Sequence, residues 1–537
     1  MTWTPRPLSA FLAEAVAQRG GEEALVTPTA RLTFAELSVE AHRVARALIA
    51  LGVRKGEHVG LLMGNDERWV VAFYGAALIG AVTVPLNTRF KPPEMAFALG
   101  KAGCVALLAA GRFLKLDFAA MLREAEPALD AGLPGTALPT LRAAVLTGDD
   151  VPRAAIGWDD FLVRGAAVDD AALDAAKAAV RADDALLIQF TSGTTSFPKG
   201  VELTHENMLR DASAAAMRIG LEPRDRYFNC RPFFHVAGST LSLLAALVTG
   251  ACLVTLPTFE AGGALAMMEA ERCTFVSGND SLFQMMMSHA DFPSRRLHLR
   301  GGWAAAGPQT MREIMERMGA KNLCSAYGLS EASPNVVMND WRDPPELRIE
   351  GLALPHPGVE VRIAGEDGIT PVSPGERGEI QVRGWNIMRG YINNPEATAA
   401  TFTPDGWLKT GDLGTLTPEG RLRMVGRLKD VIRVGGENMA PAELEEVLLR
   451  HPAVEMAQVV GIPDPRLVEV PVAFVTLRAG AQTTEPALLD WLRPQVANFR
   501  MPRHLRIVPD FEAIGMTASG KVQKTKLRDH AKALFAA

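Results

Sequence analysis

The stretch ALLIQFTSGTTSFPKGVELTHENML, Ala185–Leu209, decides how this chain is read. An apolar run rich in β-formers ends at Thr191 in a loop of Thr, Ser and Gly, passes Pro198 and Lys199, and reopens as a helical pattern. Thr191, Ser192, Gly193, Thr194 and Thr195 offer small side chains, hydroxyls and accessible backbone N–H groups, the equipment for wrapping phosphate oxygens, and Lys199 adds a positive charge. A P-loop needs GxxxxGK[ST]. Here Pro198, with no N–H to donate, precedes Lys199, and Gly200, with no hydroxyl for a metal, follows it. Taken alone, the stretch reads equally well as a phosphate cradle and as a polar strand-to-helix turn.

Around it, 537 residues exceed one ordinary core and predict a multidomain chain. A hydrophobic fraction of 48%, a charged fraction of 22% and a net charge of −5 describe a globular protein with no basic field for nucleic acid. Cys104, Cys230, Cys252, Cys273 and Cys324 lie far apart without a CxxC pair, so neither a disulfide framework nor a zinc site is expected. The N-terminus lacks the basic start, apolar segment and cleavage site of a signal peptide, and a cytoplasmic location is expected. His235 to Glu260 approaches the length of about 20 apolar residues that spans a bilayer. Gly250 breaks it, which predicts a buried helix over about 240–248, then a strand, with peripheral lipid contact left open.

The first part alternates helical patterns with short apolar strands, as βα repeats on a parallel sheet do, giving an α/β fold. Residues 127–184, rich in Ala and Asp, read as a surface connection with a helix. From about Val359 short alternating strands with Gly/Pro turns indicate a small β subdomain, about 355–428. After GRLKD a separate α+β lobe is expected, with Pro441 opening a helix. The division is 1–428 and 429–537.

The run TSGTTSFPKG resembles the phosphate-binding signature of the adenylate-forming superfamily, the acyl-CoA synthetases, luciferases and peptide-synthetase adenylation domains, where TSGTTGxPKG is usual. The resemblance recurs in order: RPFFHVAG at 231–238, YGLSE at 327–331, TGD at 410–412, GRLKDVIRVGGENMAPAELEE at 426–446 and TASGKVQK at 517–524.

It implies ATP and CoA as co-substrates, Mg²⁺, a small carboxylic acid, and a large adenylation domain with a mobile lid. In YGLSE, Tyr327 resembles the aromatic that stacks on adenine, Gly328 lies beside it, Ser330 stands near the α-phosphate, and Glu331, with Thr191, is given to the metal. Asp412 resembles the ribose carboxylate and Arg427 a second nucleotide contact. Lys521 resembles the lysine that bridges carboxylate and α-phosphate, while Lys524 and Lys526 read as solvated. His235 resembles the histidine at the mouth of the acyl pocket. Lys429 is the implied hinge, and Gly435 and Gly436 would approach the site for a pantetheine arm. Ala305 and Gly307 leave room beside the adenylate, and 276–287, rich in Met, is expected to line an apolar acyl cavity, with Asn279 capping a helix.

The implied reaction is ATP-dependent formation of acyl-CoA through an acyl-adenylate, on a medium- or long-chain fatty acid or similar apolar acid. The alternatives are an aryl or alicyclic acid, and a stand-alone adenylating enzyme that loads a carrier protein. Relatives are often homodimers. Ser196 replaces the usual Gly of the loop, which costs about 1–2 kcal/mol if that position has a positive φ. Ser196→Gly is expected to leave turnover within about tenfold, and loss of pyrophosphate release in that variant would show that the hydroxyl is needed.

Overall fold

The computed structural model describes residues 3–191, 198–435, 437–517 and 521–535. Its large N-terminal domain is built on two sheets. An eight-stranded sheet runs through strands 390–391, 199–204, 185–191, 82–85, 58–62, 106–110, 143–147 and 156–157. Its central strands His58–Leu62, Val82–Pro85 and Ala106–Ala110 are parallel and almost wholly buried, which is why they read as unbroken apolar runs. Helix Phe34–Ala50 starts at a capping box, in which Thr33 and Glu36 satisfy each other's backbone N–H groups, and buries Phe34, Leu37, Ala41, Val44 and Leu48. It packs on helix Glu67–Leu78, whose N-cap Asp66 accepts from Trp69 N.

The nine-stranded sheet runs through 354–355, 335–338, 322–328, 301–305, 275–279, 226–229, 252–255, 23–26 and 31–33. Strands Arg226–Asn229, Phe275–Asn279, Gly301–Ala305 and Asn322–Gly328 lie side by side and parallel, so their carboxyl ends open along one edge. In such sheets that edge is where ligands bind. The packing is close: a Cβ at Gly302, where φ is +142°, would lie 1.8 Å from Val276 O.

Strands Val359–Ala364, Gly378–Gly384, Leu408–Leu416 and Leu422–Arg427 form an antiparallel four-stranded sheet. Beyond it, strands from Ile432–Val434 to His504–Ile507 make a five-stranded sheet with two core clusters of their own, one around Leu444, Leu448 and Leu488, the other around Phe474, Phe511 and Leu527. Lys429 lies exposed in the single turn Leu428–Asp430 between the two sheets.

One expectation is corrected. Residues 127–184 are not a surface connection: strand Ala143–Thr147 pairs in parallel with Ala106–Ala110 and is part of the eight-stranded sheet, and Trp158 and Phe161 are buried. Alanine at two of five strand positions hid its β character. The apolar stretch after His235 forms helical segments from Val236 to Thr249, Ser239–Leu244 in the wider π geometry, and stops at Gly250 with φ +76° before strand Cys252–Thr255. No helix among the described residues is long and apolar enough to cross a membrane.

Candidate active site

Strand Ala185–Thr191 turns back antiparallel onto Lys199–Thr204, so Thr191 and Lys199 face each other across the base of the loop, and Thr191 Oγ1 donates to Lys199 O at 3.3 Å. Ser192, Gly193, Thr194, Thr195 and Ser196, and likewise Gly436, lie outside the described residues. Lys199 Nζ sits 4.8 Å from the ring centroid of Tyr391, and the Tyr391 hydroxyl donates to Glu331 Oε1 at 2.8 Å. Tyr391 therefore joins Lys199 to the carboxylate of YGLSE. Sequence reasoning missed it because 60 residues separate it from Glu331. No group of three or more His, Cys, Asp and Glu able to hold a metal occurs among the described residues. Glu331, with its second oxygen outside the Tyr391 bond, suits a hard cation that brings its remaining oxygens from phosphates and water.

The YGLSE turn is held from beneath by a buried polar network. Asn335 N donates to Asp211 Oδ2 at 2.8 Å, Asn335 Nδ2 to Tyr327 O at 3.5 Å, and His356 Nε2 lies 2.6 Å from Asn335 Oδ1. Asn386 Nδ2 donates to Asn335 O, and Ser333 Oγ to Asn386 O. Gly328 is obligatory, since a Cβ there would fall 1.8 Å from Pro334 O. Ser330 occupies the single turn Ser330–Ala332. Burial pushes the Asp211 carboxyl well above its ordinary range, and it holds His356 down to about 3, so that imidazole is neutral at pH 7.

Tyr327 donates from its hydroxyl to Asp412 Oδ2 at 2.9 Å. Asp412 pairs across the antiparallel strands with Arg427, whose Nε lies 3.3 Å from Asp412 Oδ1, an oxygen that takes no hydrogen bond. Burial raises the Asp412 carboxyl, and Arg427 opposes that shift. Asp412 is 4% exposed, and its Oδ1 is sealed from solvent with the Arg427 guanidinium facing it.

Lys521 is carried on a loop of the C-terminal domain. Thr517 N donates to Lys521 O at 2.8 Å and Lys521 N to Thr517 Oγ1 at 2.9 Å, which ties the loop ends together. Gly515, at φ +147°, supports the same turn with the Lys526 side chain against it. Arg89 Nη1 donates to Met516 O at 3.1 Å and fixes the loop to the large domain. The crowding of protein around Lys521, then the charge of Arg427, lowers its ammonium to about 8, although solvent still reaches the side chain in the cleft. His235 lies near enough for the Lys521 charge to count. Burial, then Arg231, then Lys521 hold it down to about 3. Its Nδ1 accepts from Ala237 N at 3.1 Å, so the neutral ring carries its proton on Nε2.

Ala305 is exposed at the end of its strand, and Gly307, which starts the next helix, has open space where a Cβ would stand. Gly307 N donates to Asp280 Oδ2 at 3.1 Å. Asn279 caps its helix through Leu282 N, as expected. Gly435, at φ +58°, turns the hairpin between Ile432–Val434 and Glu437–Met439. Two expectations are corrected. Met286 and Met287 are buried in a core cluster with Val254, Leu265 and Met268 rather than open to solvent. Lys524 is not solvated, because its Nζ lies 2.5 Å from Glu445 Oε1 and 3.2 Å from Val459 O.

Three further ties hold the two domains together: Arg478 Nη2 to Glu313 Oε1 at 2.7 Å, Arg377 Nη2 to Glu443 Oε1 at 2.5 Å, and Arg423 Nη2 to Glu446 Oε2 at 3.6 Å. The Arg478–Glu313 pair is 24% and 11% exposed, hence the least screened of the three.

With this geometry in place, the similarity to known proteins is specific. Residues 12–392 match the AMP-binding enzyme family, and residues 443–521 its AMP-binding enzyme C-terminal domain. The chain is 37% identical over 531 residues to the 3-[(3aS,4S,7aS)-7a-methyl-1,5-dioxo-octahydro-1H-inden-4-yl]propanoyl:CoA ligase of Mycobacterium tuberculosis, covering 98% of this chain and 99% of the relative. It is 32% identical over 533 residues to the mitochondrial medium-chain acyl-CoA ligase ACSF2 of Bos taurus, covering 96% and 86%. Among solved structures, the anthranilate CoA ligase AuaEII in complex with anthranoyl-AMP aligns with a TM-score of 0.88 at 26% identity, covering 100% and 99%. The chain belongs to the AMP-binding enzymes, the adenylate-forming family.

The network under the YGLSE turn yields a stability prediction. Because burial raises the Asp211 carboxyl above its unfolded value, it favours the fold at acid pH, and that contribution is lost as pH rises. Asp211→Asn keeps a neutral group of the same shape, so its melting temperature relative to wild type is expected to be higher at pH 8 than at pH 5. Asp211→Ala leaves Asn335 N without its acceptor and should cost about 1–3 kcal/mol at both. Thermal melts across that pH range check both, and a melting temperature of Asp211→Asn minus that of wild type that falls or stays level as pH rises would refute the raised carboxyl.

Proposed function

We propose that this chain is an AMP-forming acid–CoA ligase, acting on a medium- or long-chain aliphatic acid or an alicyclic or aryl acid. The observation that carries the reading is the meeting of Lys521, His235, Asp412 and Arg427 around one cleft, with two domains contributing. In the first step a substrate carboxylate oxygen attacks the α-phosphorus of ATP and the bond to the β-phosphate breaks, releasing pyrophosphate. Two anions must approach, and a positioned ammonium is what lowers their repulsion in the transition state. Lys521 supplies it. His235, neutral, donates from Nε2 to orient the carboxylate.

Asp412 takes the ribose hydroxyls through its carboxylate, Arg427 contacts the nucleotide, and Tyr327, with Gly328 beside it, flanks the adenine, with Ala305 and Gly307 making room. Thr191, Ser192, Gly193, Thr194, Thr195, Lys199 and Ser330 hold the phosphates. Glu331 and Thr191 would hold Mg²⁺, which neutralises phosphate charge when bound. In the second step the CoA sulfur attacks the acyl carbon, the thiol proton passes to solvent, and AMP leaves with the former carboxylate oxygen. For that step the C-terminal domain turns about Lys429, and Gly435 and Gly436 come up to the pantetheine arm. The relative from Mycobacterium tuberculosis, whose acyl group is a bicyclic dione, supports an alicyclic acid as the second reading.

Lys521→Ala is expected to abolish acid-dependent pyrophosphate release while leaving thiolysis of supplied acyl-adenylate largely intact. Equal damage to both steps would refute the assigned role. Because the free enzyme's ammonium is lowered to about 8, kcat/KM for adenylation should fall as pH rises above about 8, and Lys521→Arg should move that limb upward. Breaking the tie with Arg478→Ala should slow adenylation and spare thiolysis. A variant slowed equally in both half-reactions would assign the pair to general stability.

A further inference from the structure

The segment Arg226–His235 leaves its strand at the open edge of the nine-stranded sheet, and Arg231 sits four residues before His235. Its backbone is pinned three times: Arg231 N donates to Asn229 Oδ1 at 3.1 Å, and Arg231 O accepts from Asn65 Nδ2 at 2.8 Å and from Asn229 Nδ2 at 2.7 Å. The side chain is treated differently. Arg231 is 8% exposed, its Nε is sealed from solvent with no hydrogen-bond partner, and its guanidinium makes no ion pair or side-chain hydrogen bond among the described residues. Every Asp and Glu of the chain is a described residue, so no side-chain carboxylate is missing from that comparison.

A buried cation without a counter-ion is costly, and burial lowers this one only to about 10, so it stays charged at pH 7. What it has instead is an aromatic face. Its Cζ lies 5.4 Å from the ring centroid of Trp303, two residues before Ala305 on strand Gly301–Ala305. Trp303 is locked in place because its Nε1 donates to Tyr227 Oη at 2.8 Å, and Tyr227 in turn donates to Leu241 O at 3.0 Å. Thr240, buried in the π-helical turn after His235, also has an Oγ1 without a partner.

A preorganised guanidinium on a fixed tryptophan, beside the histidine that faces the reacting carboxylate, is equipped to receive an oxygen acceptor that the protein does not provide. We propose that Arg231 is a specificity-determining residue for acids whose acyl tail carries a second oxygen acceptor, a ketone or a further carboxylate, in preference to plain alkanoates. This inference rests on the acid–CoA ligase reading. A site built around a hydrogen-bonding partner discriminates strongly against analogues that lack it, because the buried polar group is then left unpaired.

The test is a chain-length-matched panel of n-alkanoates, oxoalkanoates and α,ω-dicarboxylates, scored for acid-dependent pyrophosphate release with wild type, Arg231→Leu and Arg231→Lys. Wild type should favour the oxygenated acids by about tenfold or more in kcat/KM. Arg231→Leu should remove or invert that preference without changing the KM for ATP, and Arg231→Lys should restore part of it. Preference for plain alkanoates in wild type, an equal loss on every acid in Arg231→Leu, or a rise confined to the KM for ATP would each overturn the proposal, the last by giving the guanidinium to phosphate. If no acid releases pyrophosphate from wild type, the ligase reading fails by itself. Calorimetric titration of the same acids into wild type and Arg231→Leu still decides the guanidinium's role, and equal binding of all three classes to wild type would count against it.

Discussion

The hydrogen bond from Asn335 N to Asp211 Oδ2 is the constraint on which the site depends. It fixes the return of the Tyr327–Asn335 turn, over which Gly328 passes too close to Pro334 for any side chain. From that turn Tyr327 reaches the four-stranded sheet through Asp412, and Glu331 reaches Tyr391 and, through its ring, Lys199. Three sheets therefore meet at one buried polar network. A network that satisfies its polar atoms at low dielectric rigidifies what it supports. The Asp211 and His356 atoms left without partners show that this network is satisfied around Asn335 but not throughout.

The electrostatics of the cleft are one-sided. Lys521, Arg427, Lys429 and Arg231 gather around it against the carboxylates of Asp412 and Asp430, and both lysines are shifted down by burial and by neighbouring cations. An excess of positive charge in a confined space attracts anions and repels the very loop that carries Lys521. The ties that hold the domains together, Arg478–Glu313 above all, oppose that repulsion. A polyanionic nucleotide would add to their effect by neutralising the cations.

Much of this was legible in the sequence because motifs are local. YGLSE and TGD each keep their residues within a few positions of one another, YGLSE where strand Asn322–Gly328 runs into the turn Ser330–Ala332 and TGD within strand Leu408–Leu416, and the alternation of apolar strands with helical patterns gave the α/β class. What was not legible depends on contacts between distant segments. Tyr391 gains its meaning only from Glu331 and Lys199, and Asp211 and His356 only from Asn335. The Met-rich run misled because a helix presents apolar residues equally to a core or to a cavity, and periodicity cannot distinguish them. Arg231 was in plain view between Cys230 and Pro232, a lone charge in an apolar run, but its lack of a counter-ion exists only in three dimensions. The strand Ala143–Thr147 escaped because alanine carries little strand preference.

The five cysteines have a practical bearing. All are free and buried, and burial pushes each thiol upward, Cys230 and Cys252 to about 12. Thiolate is the reactive form, so the folded protein is nearly silent toward disulfide dyes and alkylating agents. Consumption of an added small-molecule sulfhydryl can then be followed colorimetrically in the presence of the protein, with the background rising only as molecules unfold.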